Sequence, residues 1–287
     1  MDRDVLVSRI SEAMVSCIDP PPSDGILVIY DGGSSNVASV IVDAAKALGV
    51  ESHQVDLDTY GRPLERVPQG LQDLLEGTRF DASFYVAGVK PGELSFRSKL
   101  IEAPTGKGAS HVHMPKATMD ILSKVRDCGS IRKVIHDIHQ ALKDASKVRV
   151  TSKAGTDVTL EVGSYRWVVD DGVIPRGEWG NWPPGEVYTT PSNAEGVIVV
   201  DGVIGDYFSM KYGLLRERVM IEVSRGRVER VEGGRIAAEL EEYLAAHDCG
   251  LMVGELGIGG NPYIERPIGN MLHDEKMPGA HIAFGDP

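Results

Sequence analysis

Near its start the chain passes directly from strand to loop to helix, and this succession restricts its fold more than any other feature. Gly25 to Tyr30 (GILVIY) is a short apolar run that ends in Asp31-Gly32-Gly33-Ser34-Ser35. Val37, Val40, Ile41, Ala44 and Leu48 then recur at helical spacing up to Gly49, which closes the helix. A buried strand turning through a glycine loop into a helix opens a doubly wound sheet, whose ligands sit beyond the carboxyl ends of the strands. Ahead of it, Val5, Ile10, Ala13, Met14 and Cys17 mark a helix stopped by Asp19-Pro20-Pro21-Pro22. Further strands are expected at Glu51 to Leu57, Ser83 to Ala87 and Ser110 to Met114. Helices are expected around Leu71 to Leu75, Leu94 to Ile101 and Ile131 to Ser146. Residues 1–146 are therefore assigned to a Rossmann-like α/β domain.

From Lys147 onward the pattern changes to β. Val148 to Thr151 and Val158 to Val162 flank Ala154-Gly155-Thr156-Asp157 as a hairpin, Gly196 to Val200 is an apolar strand, and Met220 to Val231 folds back at Arg225-Gly226. One amphipathic helix, Arg235 to His247, interrupts them. Residues 147–287 thus form a mixed α+β domain, and the fold class is α/β.

A chain of 287 residues, 42% apolar and 25% charged, has the composition of a folded globular protein. Its net charge of −12 comes without a basic stripe, which excludes a nucleic-acid partner and leaves a small molecule or small peptide as the expected ligand. No run reaches the roughly 18 apolar residues of a membrane span. The acidic start Met1-Asp2-Arg3-Asp4 is unlike a signal peptide, so the expected location is the cytoplasm. Cys17, Cys128 and Cys249 lie far apart with no C-x-x-C pair and are expected to be buried thiols.

Chemistry concentrates in the second half. The strand Leu251-Met252-Val253 delivers Glu255 into Leu256-Gly257-Ile258-Gly259-Gly260-Asn261-Pro262, a loop that lets a ligand approach that carboxylate closely. Asn181-Trp182-Pro183-Pro184-Gly185 is a rigid turn presenting Glu186 at the mouth of a strand. In Gly279-Ala280-His281-Ile282-Ala283-Phe284-Gly285, alternation puts His281 beside Ala283 on one face, leaving room for something to bind. These stretches, with Thr151-Ser152-Lys153-Ala154-Gly155-Thr156-Asp157, Gly196 to Gly202 and Asp274-Glu275-Lys276, resemble the aminopeptidase T family of metallopeptidases in order and wording.

That resemblance implies a pair of divalent ions, zinc, cobalt or manganese, with Glu186, Glu255 and His281 matching three of the family's metal ligands. It further implies a tyrosine and a His-x-Asp pair beyond Asp286-Pro287, where this sequence ends. His273 or Asp286, or a second copy in a homodimer, are the candidate substitutes. For His273, beside Asp274 and Glu275, the simpler expectation is a surface position in an acidic turn. The expected activity is a metal-dependent, aminopeptidase-like hydrolase cleaving a small peptide or amide, with no catalytic residue assigned. The alternatives are an Fe(II)-dependent ring-cleaving dioxygenase similar to 2,5-dihydroxypyridine dioxygenase, and a non-catalytic descendant of the same fold.

Other candidates carry less. His111 and His113 share a strand face, a possible two-histidine site that is more simply a structural pair, while His136 and His139 lie on a charged, solvated helix. Asp31-Gly32-Gly33-Ser34-Ser35 lacks the spacing of G-x-G-x-x-G and the lysine of a P-loop, so it reads as a turn capped by Ser34 or Ser35. Trp167, Trp179 and Trp182 suit a pocket wall or core packing equally. No G-x-S-x-G elbow is present, so covalent catalysis has no support.

Overall fold

The computed structural model describes residues 2–286. The chain forms two compact units, one from Met1–Arg132 with Asp170–Pro184 and the other from Lys133–Val169 with Gly185–Pro287. Among the described residues no helix is long and apolar enough to cross a membrane. The molecule is of mixed α/β construction, with a parallel five-stranded sheet, a short parallel pair of Ile18–Asp19 with Ile174–Pro175, and sheets with antiparallel pairing.

The first unit holds the parallel sheet, in the order Trp179–Asn181, Ser110–His113, Ala82–Tyr85, Gly25–Tyr30, Glu51–Asp56. Its three central strands are buried on both faces, Gly25–Tyr30 as an unbroken apolar run and Ser110–His113 in spite of Ser110, His111 and His113, whereas the edge strand Glu51–Asp56 is largely exposed. Helices Arg3–Cys17, Ser35–Ala47, Gln69–Gly77 and Leu94–Thr105 supply the covering layers. Leu27, Ile29 and Tyr85 from the sheet pack with Leu71, Leu75, Phe96 and Leu100 in one core cluster. The expected strands and helices are present with ends moved by a few residues, the usual fraying of a hydrogen-bonded boundary. The fifth strand, Trp179–Asn181, is additional: it runs parallel to Ser110–His113, with Trp179 opposite His111 and Asn181 opposite His113.

Two local expectations are corrected here. Cys17 and Cys128 are joined in a disulfide, with Cα atoms 5.4 Å apart, and Cys249 is an exposed free thiol. A sequence separation of 111 hides such a pairing from any spacing rule. In the glycine loop, Asp31 rather than a serine is the cap: its Oδ1 accepts from Ser34 N at 3.1 Å, and Ser34 makes no side-chain cap to the helix it precedes. The other carboxylate oxygen accepts from Arg62 Nη1 at 2.6 Å and Gly88 N at 2.8 Å, so a buried ion cluster of Arg62, Asp31 and Glu93 fills the mouth of this loop.

The second unit contains an antiparallel five-stranded sheet in the order Arg227–Glu232, Val219–Ser224, Asn193–Val200, Asp157–Glu161, Lys147–Thr151. The hairpin at Arg225-Gly226 has positive φ at both residues, 50° and 71°, the conformation a tight two-residue turn requires. Helix Gly234–Ala245 lays Ile236, Ala237, Leu240 and Leu244 in one core with Ile221, Val223, Val228 and Val231 from the sheet. A second sheet of the unit pairs Gly279–Phe284 with Val253–Gly259, and the latter with Glu186–Thr189, both antiparallel.

Candidate functional site

The register of that second sheet gathers the candidate ligands. Glu186 lies opposite Gly259, and His281 opposite Gly257. Along the central strand Glu255, Gly257 and Gly259 point to one face, and residues directly opposite one another share a face. Glu186, Glu255 and His281 therefore stand on the same side, over two glycines that leave the surface bare. A bulge between Val253 and Glu255 sets the register that aims Glu255. The glycines are needed: a Cβ on Gly257 would lie 2.0 Å from His281 Nε2, and one on Gly259 would lie 2.2 Å from Met277 O.

His281 Nε2 is 3.1 Å from Glu186 Oε2 and 3.4 Å from Glu255 Oε1. Neither Glu186 Oε2 nor His281 Nε2 has an aligned hydrogen-bond partner, although both are buried. The other oxygen of Glu186 accepts from the ammonium of Lys276, a fully buried lysine that also lies 3.1 Å from Glu275 Oε1. Burial alone would raise the carboxyl of Glu186, but Lys276 and His281 outweigh it and hold that group at about 2. Burial would lower His281, yet the carboxylates of Glu186 and Glu255 push it up to about 9. Burial, joined by repulsion from Glu186, raises Glu275.

Whether these residues suit a metal ion is a question of spacing and donor type. Two ligands held about 2.1 Å from one ion sit about 3.0 Å apart when cis at a right angle and about 3.4 Å apart at the tetrahedral angle. The observed separations of 3.1 and 3.4 Å fall on these values. One imidazole and two carboxylates also form a donor set for borderline divalent ions. In the structure as it stands the three are drawn against one another, with a protonated imidazole and Lys276 supplying the positive charge. Among the described residues no three His, Cys, Asp or Glu side chains are placed to hold a metal ion as they stand. The donor set fits a cation; admitting one requires the His281 proton to leave.

In sequence Lys276 is only the last residue of Asp274-Glu275-Lys276, and nothing there marks it as a buried charge partner. His273 departs further from expectation: it is not on the surface but 1% exposed, with Nδ1 2.7 Å from Asp274 Oδ1. Burial of the turn Met271–Asp274 comes from Leu272 and His273 together, which the acidic neighbours conceal. Asp286 is exposed.

In the first unit His111 and His113 form a structural chain. Ser83 Oγ lies 2.7 Å from His111 Nδ1, and His111 Nε2 lies 3.3 Å from His113 Nδ1, so both ring nitrogens of His111 are occupied. Burial holds His111 well below its ordinary value and His113 at about 3. Trp182 is core, packed edge-on against Phe84, and Trp179 stands half exposed beside His113, while Trp167 packs in the core of the second unit. The three tryptophans therefore line no common pocket within either unit.

Comparison with known proteins bears directly on the chemistry. The family profile described as NicX, 2,5-dihydroxypyridine 5,6-dioxygenase, matches residues 98–263, more than half of the chain and a span that includes Glu186 and Glu255. A 2,5-dihydroxypyridine 5,6-dioxygenase of Pseudomonas putida is 35% identical over 106 residues, 36% of this chain. The match spans only 30% of that relative's length. Among solved structures, 2,5-dihydroxypyridine dioxygenase from Pseudomonas putida aligns with a TM-score of 0.65 at 19% identity, covering 96% of this chain and 82% of that one. AmpT from Thermus thermophilus aligns with a TM-score of 0.66 at 16% identity, covering 99% and 86%. The two structural likenesses are equal and show the fold alone. The sequence matches separate them, and they overturn the resemblance to the aminopeptidase T family and with it the expected peptidase and hydrolase activity. The motifs behind that resemblance are glycines, prolines and strand ends, which a shared backbone dictates whatever reaction it carries.

Proposed function

Because the chain belongs to the 2,5-dihydroxypyridine 5,6-dioxygenase family, we propose that it is an Fe(II)-dependent dioxygenase opening the ring of a small hydroxylated nitrogen heteroaromatic. The observation that carries this reading is the family match across residues 98–263. The convergence of Glu186, Glu255 and His281 supports it by supplying oxygen and nitrogen donors of the kind ferrous ion accepts. Ferrous ion, when bound, supplies the one-electron chemistry that lets dioxygen react with a closed-shell ring.

The chain's own residues fix how that ion and the substrate are met. Lys276 holds one oxygen of Glu186, which leaves Oε2 as the donor turned toward His281. Its ammonium also offsets the repulsion between Glu186 and Glu275, so several carboxylates are held together without all being neutralised by protons. Glu255, the most exposed of the three ligands, faces the open side of the cluster. The absence of side chains at Gly257 and Gly259 makes room for the His281 imidazole and the backbone of Glu275 to Met277, which pack there.

The test is oxygen uptake by the Fe(II)-loaded protein in an electrode cell, with 2,5-dihydroxypyridine and a panel of other hydroxypyridines. Uptake of dioxygen matched by loss of ring absorbance, and abolished by a ferrous chelator, is the expected outcome. Absence of uptake across the panel, in protein shown to have bound iron, would falsify the proposal.

A further inference from the structure

We infer that the first unit carries a ligand site of its own, in which His113 and Trp179 receive a neutral aromatic ring bearing a hydroxyl group. This goes beyond the dioxygenase reading and does not depend on it. In an open parallel sheet, ligands lie past the carboxyl ends of the strands, at the point where the strand order reverses. Here the order reverses between Gly25–Tyr30 and Ala82–Tyr85, and the chain itself fills that position. The Asp31 carboxylate accepts there from Ser34 N at 3.1 Å, Gly88 N at 2.8 Å and Arg62 Nη1 at 2.6 Å. The carboxyl ends that follow, those of Ala82–Tyr85, Ser110–His113 and Trp179–Asn181, are different in kind. Ser83 and Trp179 stand opposite His111, and Tyr85 and Asn181 stand opposite His113, so all six side chains share one face.

On that face the polar groups run in series. Ser83 Oγ lies 2.7 Å from His111 Nδ1, and His111 Nε2 lies 3.3 Å from His113 Nδ1. A neutral imidazole has one N–H and one lone pair, so His111 donates to one neighbour and accepts from the other. The sense of the series is passed on to His113 Nε2, which is a donor when Ser83 donates and an acceptor when Ser83 accepts. That nitrogen has no partner within the chain, yet it is not among the sealed polar atoms, so it opens to solvent at the ligand end of the sheet. Ser83 and His111 are fully buried, a costly filling for a sheet interior where aliphatic side chains would serve, and one that the series repays at its far end. Trp179 stands beside that end, 52% exposed, its ring 6.2 Å from that of His113 and nearly perpendicular to it, while Tyr85 stacks on His113 at 5.1 Å. A flat ring resting on the exposed indole is placed to offer a rim hydroxyl to His113. A hydroxyl is both donor and acceptor, so it suits either sense of the series.

The test uses the full chain, stripped of metal, with phenol as the probe and toluene, its methyl counterpart, as the control that keeps the ring and lacks the hydroxyl. Long-range proton–nitrogen correlation spectra report the state of each imidazole nitrogen. Phenol is expected to move the signals of His113 and His111 together and saturably, and to quench tryptophan fluorescence; toluene is expected to leave the imidazole signals unmoved. His113→Phe keeps the ring on Tyr85 and removes the nitrogen, and its affinity for phenol is expected to fall about tenfold, the scale of one hydrogen bond. In Trp179→Leu the quenching is expected to vanish. Imidazole signals that stay still with phenol, or that toluene moves equally, overturn the site, and both are read on the unaltered protein without any variant having to fold. Unchanged affinity in a folded His113→Phe also overturns it. If phenol moves His281 alone, the ring binds in the second unit and this site fails while the dioxygenase reading stands. A failure of the iron-loaded protein to take up oxygen bears only on the latter.

Discussion

Histidines on one strand can look alike in sequence and differ entirely in use. His111 and His113 alternate correctly to share a face, and that much is legible in the spacing Ser110-His111-Val112-His113. What spacing cannot convey is that Ser83, on the neighbouring strand, occupies His111 and that burial keeps both rings neutral. A histidine whose folded value lies below its unfolded value of about 6.5 takes up its proton more readily when the chain unfolds. The stability it contributes is therefore present above about pH 6.5 and lost as pH falls toward the folded value, about 3 for His113. Denaturant titrations between pH 7 and 4.5, above the range where most carboxylates titrate, are expected to show stability declining on acidification. The slope is up to roughly 1.4 kcal/mol per pH unit for each imidazole. A flat profile would show that these rings are not held neutral. His273 shows the opposite failure of sequence reasoning: Asp274 and Glu275 beside it suggest solvent, but the fold turns one of those carboxylates inward as its anchor.

Among secondary-structure elements, those legible in sequence were the ones whose period persists over several residues. The run Gly25–Tyr30, the face of Ser35–Ala47 and the alternation in Gly279–Phe284 are of this kind. Trp179–Asn181 was not, because three residues centred on a glycine have no period, and the strand exists only by virtue of the edge it joins. The Val253–Gly259 strand illustrates what glycine achieves inside a sheet. Gly257 does not sit at positive φ, so alanine there meets no backbone strain; it meets the imidazole of His281 instead. That neighbour is the tip of a flexible side chain, and it can be pushed aside. Gly257→Ala is expected to melt within a few degrees of the parent while losing at least tenfold in affinity for Co(II) or Fe(II) by calorimetric titration, the scale of a displaced metal-ligating histidine. Unchanged affinity would remove His281 from the proposed ligand set.

For the whole molecule, the α/β class and the change of texture near the middle of the chain are legible in sequence, but the dioxygenase family stands there only as an alternative to the aminopeptidase T resemblance that the comparisons overturn. Equal structural likeness to a dioxygenase and to AmpT explains why ordered glycine and proline motifs led toward the wrong reaction. The Cys17–Cys128 bridge is a second long-range feature, closing a loop over a separation of 111 residues within the first unit. By chain entropy, a loop near 100 residues is stabilised by about 4.7 kcal/mol. Scanning calorimetry with and without reductant is expected to show one of two unfolding transitions falling and the other unmoved, since each unit has its own core. Two transitions that shift together would mean that the bridge's effect is not confined to the first unit.

The late arrival of Trp179–Asn181 has a consequence for how the protein is made. Ser110–His113 finds its outer neighbour only after the residues of the Lys147–Thr151 and Asp157–Glu161 strands have been synthesised. Until then one flank of the parallel sheet has unsatisfied peptide groups, and its mate is still inside the ribosome. A nascent chain paused between these points presents a bare border of the sort that recruits foreign strands. Growth conditions that slow translation through this stretch should therefore trade soluble yield for aggregate.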